Sequence, residues 1–273
     1  MNKILLVFDG SHFSEGAFKW ASYFNEINPC RLTGIFLQPI DYRDIVGYTG
    51  AGNAVPITLT PFQSDTSVIK KNIAQFENRC QREGIEYRTH MDTDMFALEE
   101  LQTETRFADF MIISAELFYE NIGKDQPNDY MKKILRQTEC PVFIVPEEFK
   151  PVHTVLLAYD GKADSVFAIK QFSYLFPELC RKESKLITIE DEDEPLPHQD
   201  LIEELASKHF PNLTFELVDK EKIETFSDWV STEPGSILVA GSYGRSELSN
   251  LFKKSFLSGV IEEHSMPVFI AHR

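Results

Sequence analysis

Cysteine is scarce and scattered in this chain: Cys30, Cys80, Cys140 and Cys180 are the only four, and no two form a Cys-x-x-Cys pair. That spacing excludes a zinc framework and the dense disulfide lattice of a small secreted domain. Positive charge is also short, with 27 basic residues against 43 acidic ones, a formal net charge of −16, and no basic run longer than Lys253-Lys254. Duplex nucleic acid and anionic membrane surfaces repel such a chain, so neither is an expected partner. Long apolar runs are missing too. Ile4-Leu5-Leu6-Val7 runs almost at once into Asp9, too short for a signal-peptide core, and no stretch approaches the roughly 20 residues of a membrane span. The expected location is the cytoplasm.

Catalytic signatures are absent in the same way. The sequence holds no Gly-x-Ser-x-Gly elbow, no His-Glu-x-x-His helix and no Gly-x-x-x-x-Gly-Lys-Ser/Thr loop. The seven histidines fall in no metal-ligand spacing, and no cysteine has a local histidine to activate it. His12, near the end of the first apolar run, and His153, at the start of the sixth, belong to opposite ends of a sheet. The expectation is a protein that is not an enzyme, with no catalytic residues and no metal held by side chains.

What is present is a repeat. Ile4-Leu5-Leu6-Val7-Phe8-Asp9-Gly10 returns as Val155-Leu156-Leu157-Ala158-Tyr159-Asp160-Gly161, and Cys140-Pro141-Val142-Phe143-Ile144-Val145 returns as Met266-Pro267-Val268-Phe269-Ile270-Ala271. Each opening run leads into a helical pattern, one starting near Ser14 and one near Asp164, both good N-cap residues. Apolar strands are expected near 3–8, 32–37, 86–91, 109–115 and 141–146, and again near 153–159, 184–190, 213–219, 236–241 and 267–271. Runs such as Phe110-Met111-Ile112-Ile113 and Ile237-Leu238-Val239-Ala240 suit strands covered on both faces of a parallel sheet. The pattern predicts an α/β fold: two tandem, doubly wound, mostly parallel five-stranded sheets with flanking helices. The domains are expected at 1–148 and 152–273, with a linker at Glu147–Pro151. The first copy carries a long insertion at about 38–67, rich in Gly, Pro, Tyr and Thr.

In open α/β sheets ligands gather beyond the carboxyl ends of strands, where the strand order reverses. Asp160-Gly161 follows the sixth strand and Gly241-Ser242-Tyr243-Gly244-Arg245 follows the ninth. Two readings stand for each. Asp160 either braces a turn or meets a ligand, and Gly241 and Gly244 either serve a tight turn or let backbone amides approach a phosphate. Arg245 is a candidate for the anion or for a surface carboxylate. The acidic run Glu190–Glu194, ahead of Pro195 and Pro197, reads as a solvated loop rather than a cation site. The 38–67 insertion reads equally as a partner or lid segment and as a cover for the sheet end.

An opening Asp-Gly and a closing x-Pro-Val-x-Ile strand in both copies, with a fourth strand ending in Gly-Ser-x-Gly-Arg in the second, resemble the universal stress protein family and its tandem members over essentially the whole chain. The resemblance implies a Rossmann-like sheet of the adenine nucleotide alpha hydrolase kind and a stress-response role. It also implies two domains paired through their last strands as an internal pseudo-dimer, with a homodimer and an unnamed protein as further expected partners. The family's ATP-binding branch has Gly-x-x-Gly, nine residues, then Gly-Ser or Gly-Thr. Gly241 and Gly244 match the first pair and Ser255 the last residue, but Lys254 replaces the second-to-last glycine, and Glu247 stands where another glycine is common. Lys254 either offers a point charge to phosphate or obstructs the cradle. By resemblance, Asp160 would lie near adenine and ribose, Gly241 and Gly244 near phosphate and ribose, and Ser255 would donate to phosphate, with ATP bringing Mg²⁺. The first copy has Ser114-Ala115-Glu116-Leu117 at the corresponding place, with no glycine pair, so nucleotide is expected only in the second. The alternatives are a nucleotide-independent interaction protein working through the first copy and its insertion, and a small-molecule binder with a pocket enlarged by that insertion.

Overall fold

The computed structural model describes residues 2–8, 12–37, 66–92, 97–116, 137–190, 196–219, 235–241 and 266–271. Most of the 38–67 insertion and the Asp191–Glu194 part of the acidic run lie outside these residues. Ten strands are seen: β1 Asn2–Phe8, β2 Cys30–Leu37, β3 Glu86–Asp92, β4 Phe110–Ser114, β5 Val142–Val145, β6 Thr154–Ala158, β7 Glu183–Glu190, β8 Leu213–Asp219, β9 Ser236–Gly241 and β10 Val268–Ala271. Each falls on an expected apolar run. Among the described residues five α-helices accompany them: α1 Glu15–Ile27, α2 Thr66–Glu83, α3 Ala97–Thr105, α4 Ala163–Leu175 and α5 Gln199–His209.

The two five-stranded sheets are joined into one, in the order β3-β2-β1-β4-β5-β10-β9-β6-β7-β8. Among the described residues each half is parallel throughout, and the one antiparallel pairing is the join between β5 and β10. Its register is symmetric: Phe269 stands opposite Phe143, Val268 opposite Ile144 and Ile270 opposite Val142. The two Phe residues are each other's counterparts in the repeat, so a local two-fold axis passes between them.

Strand alternation sends even-numbered β1 residues Ile4, Leu6 and Phe8 to one face and Lys3, Leu5 and Val7 to the other. The first face is covered by α1, α2, α4 and α5, whose buried residues form one core running through both halves. At the join this core is aromatic. Phe24 of α1 packs 4.9 Å from Phe143 and 5.1 Å from Phe176, and Phe143 packs 5.0 Å from Phe269. Rings at such separations add attraction beyond the area they bury.

Ser14 caps α1 as expected, its hydroxyl accepting from the Ala17 N–H at 3.0 Å. The expectation for Asp164 is corrected. Lys162 holds the N-cap of α4 without a side-chain bond, and Asp164 lies within the first turn, two residues past the cap. The cause is local: Gly161 takes φ +73°, a conformation open to glycine, so the chain turns into the helix earlier. Among the described residues, no helix is long and apolar enough to cross a membrane.

Candidate functional site

Strand order reverses between β1 and β4 in the first half and between β6 and β9 in the second, so the carboxyl ends of these pairs are where a ligand is expected. The registers superpose. Leu6 pairs with Ile112 and its counterpart Leu157 with Val239, which makes Ser114 the counterpart of Gly241.

In the second half, Asp160 and Gly241 lie at the same end of neighbouring strands. The Asp160 carboxylate accepts the Lys162 N–H at 3.0 Å and stands 3.6 Å from the Lys162 ammonium, so it braces the turn into α4. A methyl group placed on Gly241 would fall inside 3.0 Å of the backbone of Asp164 and Ser165. The glycine therefore lets the first turn of α4 press against the strand end. Tyr159 ties the rim, its hydroxyl donating to the Pro197 carbonyl at 2.7 Å. Gly244, Arg245, Lys254 and Ser255 lie outside the described residues.

The first half is built differently at the same place. Glu147, just beyond β5, turns its carboxylate onto the start of α1. One oxygen accepts the Gly16 N–H at 2.9 Å, and the other accepts the hydroxyls of Ser114, at 3.0 Å, and Ser14. Ser114 in turn accepts the Glu116 N–H at 3.3 Å. A carboxylate at a helix N-terminus satisfies amides that the helix leaves unpaired and meets the positive end of its dipole. Close approach requires Gly16, because a methyl there would overlap Glu147 and the Pro146 carbonyl. An internal anion thus fills the strand end of the first half. Sequence reasoning treated Glu147 as linker and missed this. The signal was the repeat itself, since Val145 and Ala271 correspond and Glu147 therefore stands where the second copy has Arg273.

All four thiols are buried, and burial pushes Cys30 up to about 11 and Cys80, Cys140 and Cys180 to about 12. None of them is a thiolate nucleophile near neutrality. Among the described residues no cluster of three or more His, Cys, Asp or Glu side chains is placed to hold a metal ion.

No family model matches the chain. A universal stress protein from Synechocystis is 23% identical over 284 residues, a likeness covering 98% of this chain and 99% of that one. The crystal structure of a universal stress protein from Archaeoglobus fulgidus shares the fold with a TM-score of 0.65 at 15% identity, over 100% of this chain and 96% of the other. The cytoplasmic domain of a prokaryotic cation chloride cotransporter also shares it, with a TM-score of 0.53 at 10% identity, over 98% and 94%. The fold alone therefore serves more than one kind of protein. Sequence likeness along nearly all of both chains and the shared fold together make this chain similar to the universal stress proteins.

Proposed function

We propose that this chain is a stress-response regulatory protein whose second half takes an adenine nucleotide, ATP with Mg²⁺, at the carboxyl ends of β6 and β9, while its first half takes none. The observation that carries this reading is the contrast between the two strand ends. In the first, Glu147 occupies the helix start with three hydrogen bonds. In the second, the residue in Ser114's place is Gly241, which has no side chain, and Arg273 stands in the sequence where Glu147 does. A phosphate would meet a cationic position rather than a carboxylate there. In this reading Asp160 faces the nucleoside, and Gly241, Gly244, Arg245, Lys254 and Ser255 serve the phosphates. Binding alters how the chain meets a protein partner or a second copy of itself. No catalytic step is assigned, and the site is that of a cytoplasmic binding protein.

A second reading is favoured by a specific fact: packing against α4 already accounts for Gly241, and a turn already accounts for Asp160. On that reading the chain acts without nucleotide, through partners of its first half. Calorimetric titration with Mg-ATP separates the two. Saturation near one per chain, lost in Gly244→Asp, supports the nucleotide; no heat, and no nucleotide retained through purification, selects the partner reading.

A further inference from the structure

The α3 face of the sheet carries a cavity of about 400 Å³ toward the amino ends of β1, β2 and β3, lined by Lys3, Arg31, Thr33, Arg88, His90 and Glu104. Its floor is set by strand register. Lys3 lies beside Arg31, Leu5 beside Thr33, Thr33 beside Arg88, and Ile35 beside His90, with neighbouring strands about 4.8 Å apart. Parallel sheets are ordinarily covered on both faces and read as apolar there, yet these positions bring Lys3, Arg31, Arg88 and His90 together around one threonine. In a chain of net charge −16, that concentration of positive charge is unusual.

The charges are unequally satisfied. Glu104 of α3 holds the Lys3 ammonium at 2.7 Å and lies 3.4 Å from His90 Nδ1, and Arg31 is paired with Glu86 across the strands. Arg88 forms no ion pair with any described residue, and beside it Thr33, 4% exposed, has a hydroxyl with no hydrogen-bond partner among the described residues. An unmet buried hydroxyl costs stability.

The second half supplies an internal control. Its strands place Thr154, Glu183, Lys185, Thr214 and Glu216 at the matching positions, and there Lys185 faces Glu216 at 3.9 Å. The same fold therefore stands with an acidic, self-paired flank, so the basic flank is not needed to build the sheet.

We propose that this cavity binds a small metabolite bearing a compact oxyanion, phosphate or carboxylate. The Arg88 guanidinium forks onto the anion, and the Thr33 hydroxyl donates to it. Lys3 and His90 stand at the rim, and the volume is at the lower end of small-molecule sites.

The full chain is titrated calorimetrically with inorganic phosphate and, separately, with malonate. Saturation by either, weakening as salt rises, is expected, and the stronger probe tells a phosphorylated metabolite from a dicarboxylic one. Arg88→Ala should weaken binding about tenfold or more, with partial rescue by Arg88→Lys, and Thr33→Val should weaken it several-fold while leaving the fold intact. Lys185→Ala, at Thr33's place in the other half, and Gly244→Asp, which disables the strand-end site, should leave it unchanged. Neither probe saturating by about 10 mM, or Arg88→Ala binding as the native chain does, would overturn the proposal.

Discussion

The hydroxyl of Ser114 donates to the carboxylate of Glu147 at 3.0 Å across the end of β4, and the same carboxylate holds the Gly16 amide of α1. One acidic side chain thereby ties the last strand of the first half to its fourth strand and its first helix.

Glu147→Ala leaves three donors at that point without their acceptor. Stranding partly buried donors costs about 1–3 kcal/mol, so urea unfolding should show a loss in that range. Glu147→Gln, which keeps an acceptor but removes the charge, should lose less. A Glu147→Ala chain as stable as the native one would refute the role of this contact.

Gly241→Ala should destabilise by a similar amount, about 1–3 kcal/mol, because the added methyl must push the first turn of α4 off the strand end. Thermal unfolding measures it. The loss is expected with or without nucleotide present, which separates the packing role of this glycine from any role toward a ligand.

Phe269→Ala opens a cavity at the centre of the join, where the ring meets Phe143, Phe172 and Phe176, at a cost of about 3–5 kcal/mol. Because the aromatic core runs through both halves, the loss should register in the first half as well. In a Trp229→Phe background the remaining Trp20, buried in that core, should unfold at a lower midpoint. An unchanged Trp20 midpoint would mean that the halves unfold independently.

The four thiols set an alkaline limit. Their folded values lie above the ordinary 9.0, so above pH 9 the unfolded chain loses thiol protons that the folded chain keeps. Stability is therefore intact below pH 9 and falls between about 9 and 12. Replacing Cys80 with Ala should flatten that fall. At pH 7.5 the native chain should resist iodoacetamide at all four positions.

The strands were legible because parallel strands covered on both faces are written as near-continuous apolar runs, Phe110–Ile113 and Ile237–Ala240 among them. Ser14 was legible as a cap because its oxygen sits one residue before a helical pattern. Asp164 was misread for a complementary reason. Capping depends on where the backbone turns, and the positive φ of Gly161 is not written in the helix that follows. Glu147 escaped because a carboxylate beyond a strand looks like any solvated linker residue until the fold brings α1 beneath it. The basic flank escaped because Lys3, Arg31 and Arg88 are far apart in the chain and meet only through register. The repeat placed Asp160 and Gly241 beyond neighbouring strands, where the first braces a turn and the second admits the first turn of α4.

In an assembly of two identical chains every substitution occurs twice, at sites related by symmetry, and each must be tolerated in both. Here the pairing of β5 with β10 lies within one polypeptide, so a change in one half has no compulsory twin. The halves can diverge while the joint between them stays fixed. A carboxylate could settle at one helix start and glycine persist at the other strand end, and one flank could become basic while its counterpart became acidic, without any loss of the contact that holds the two together.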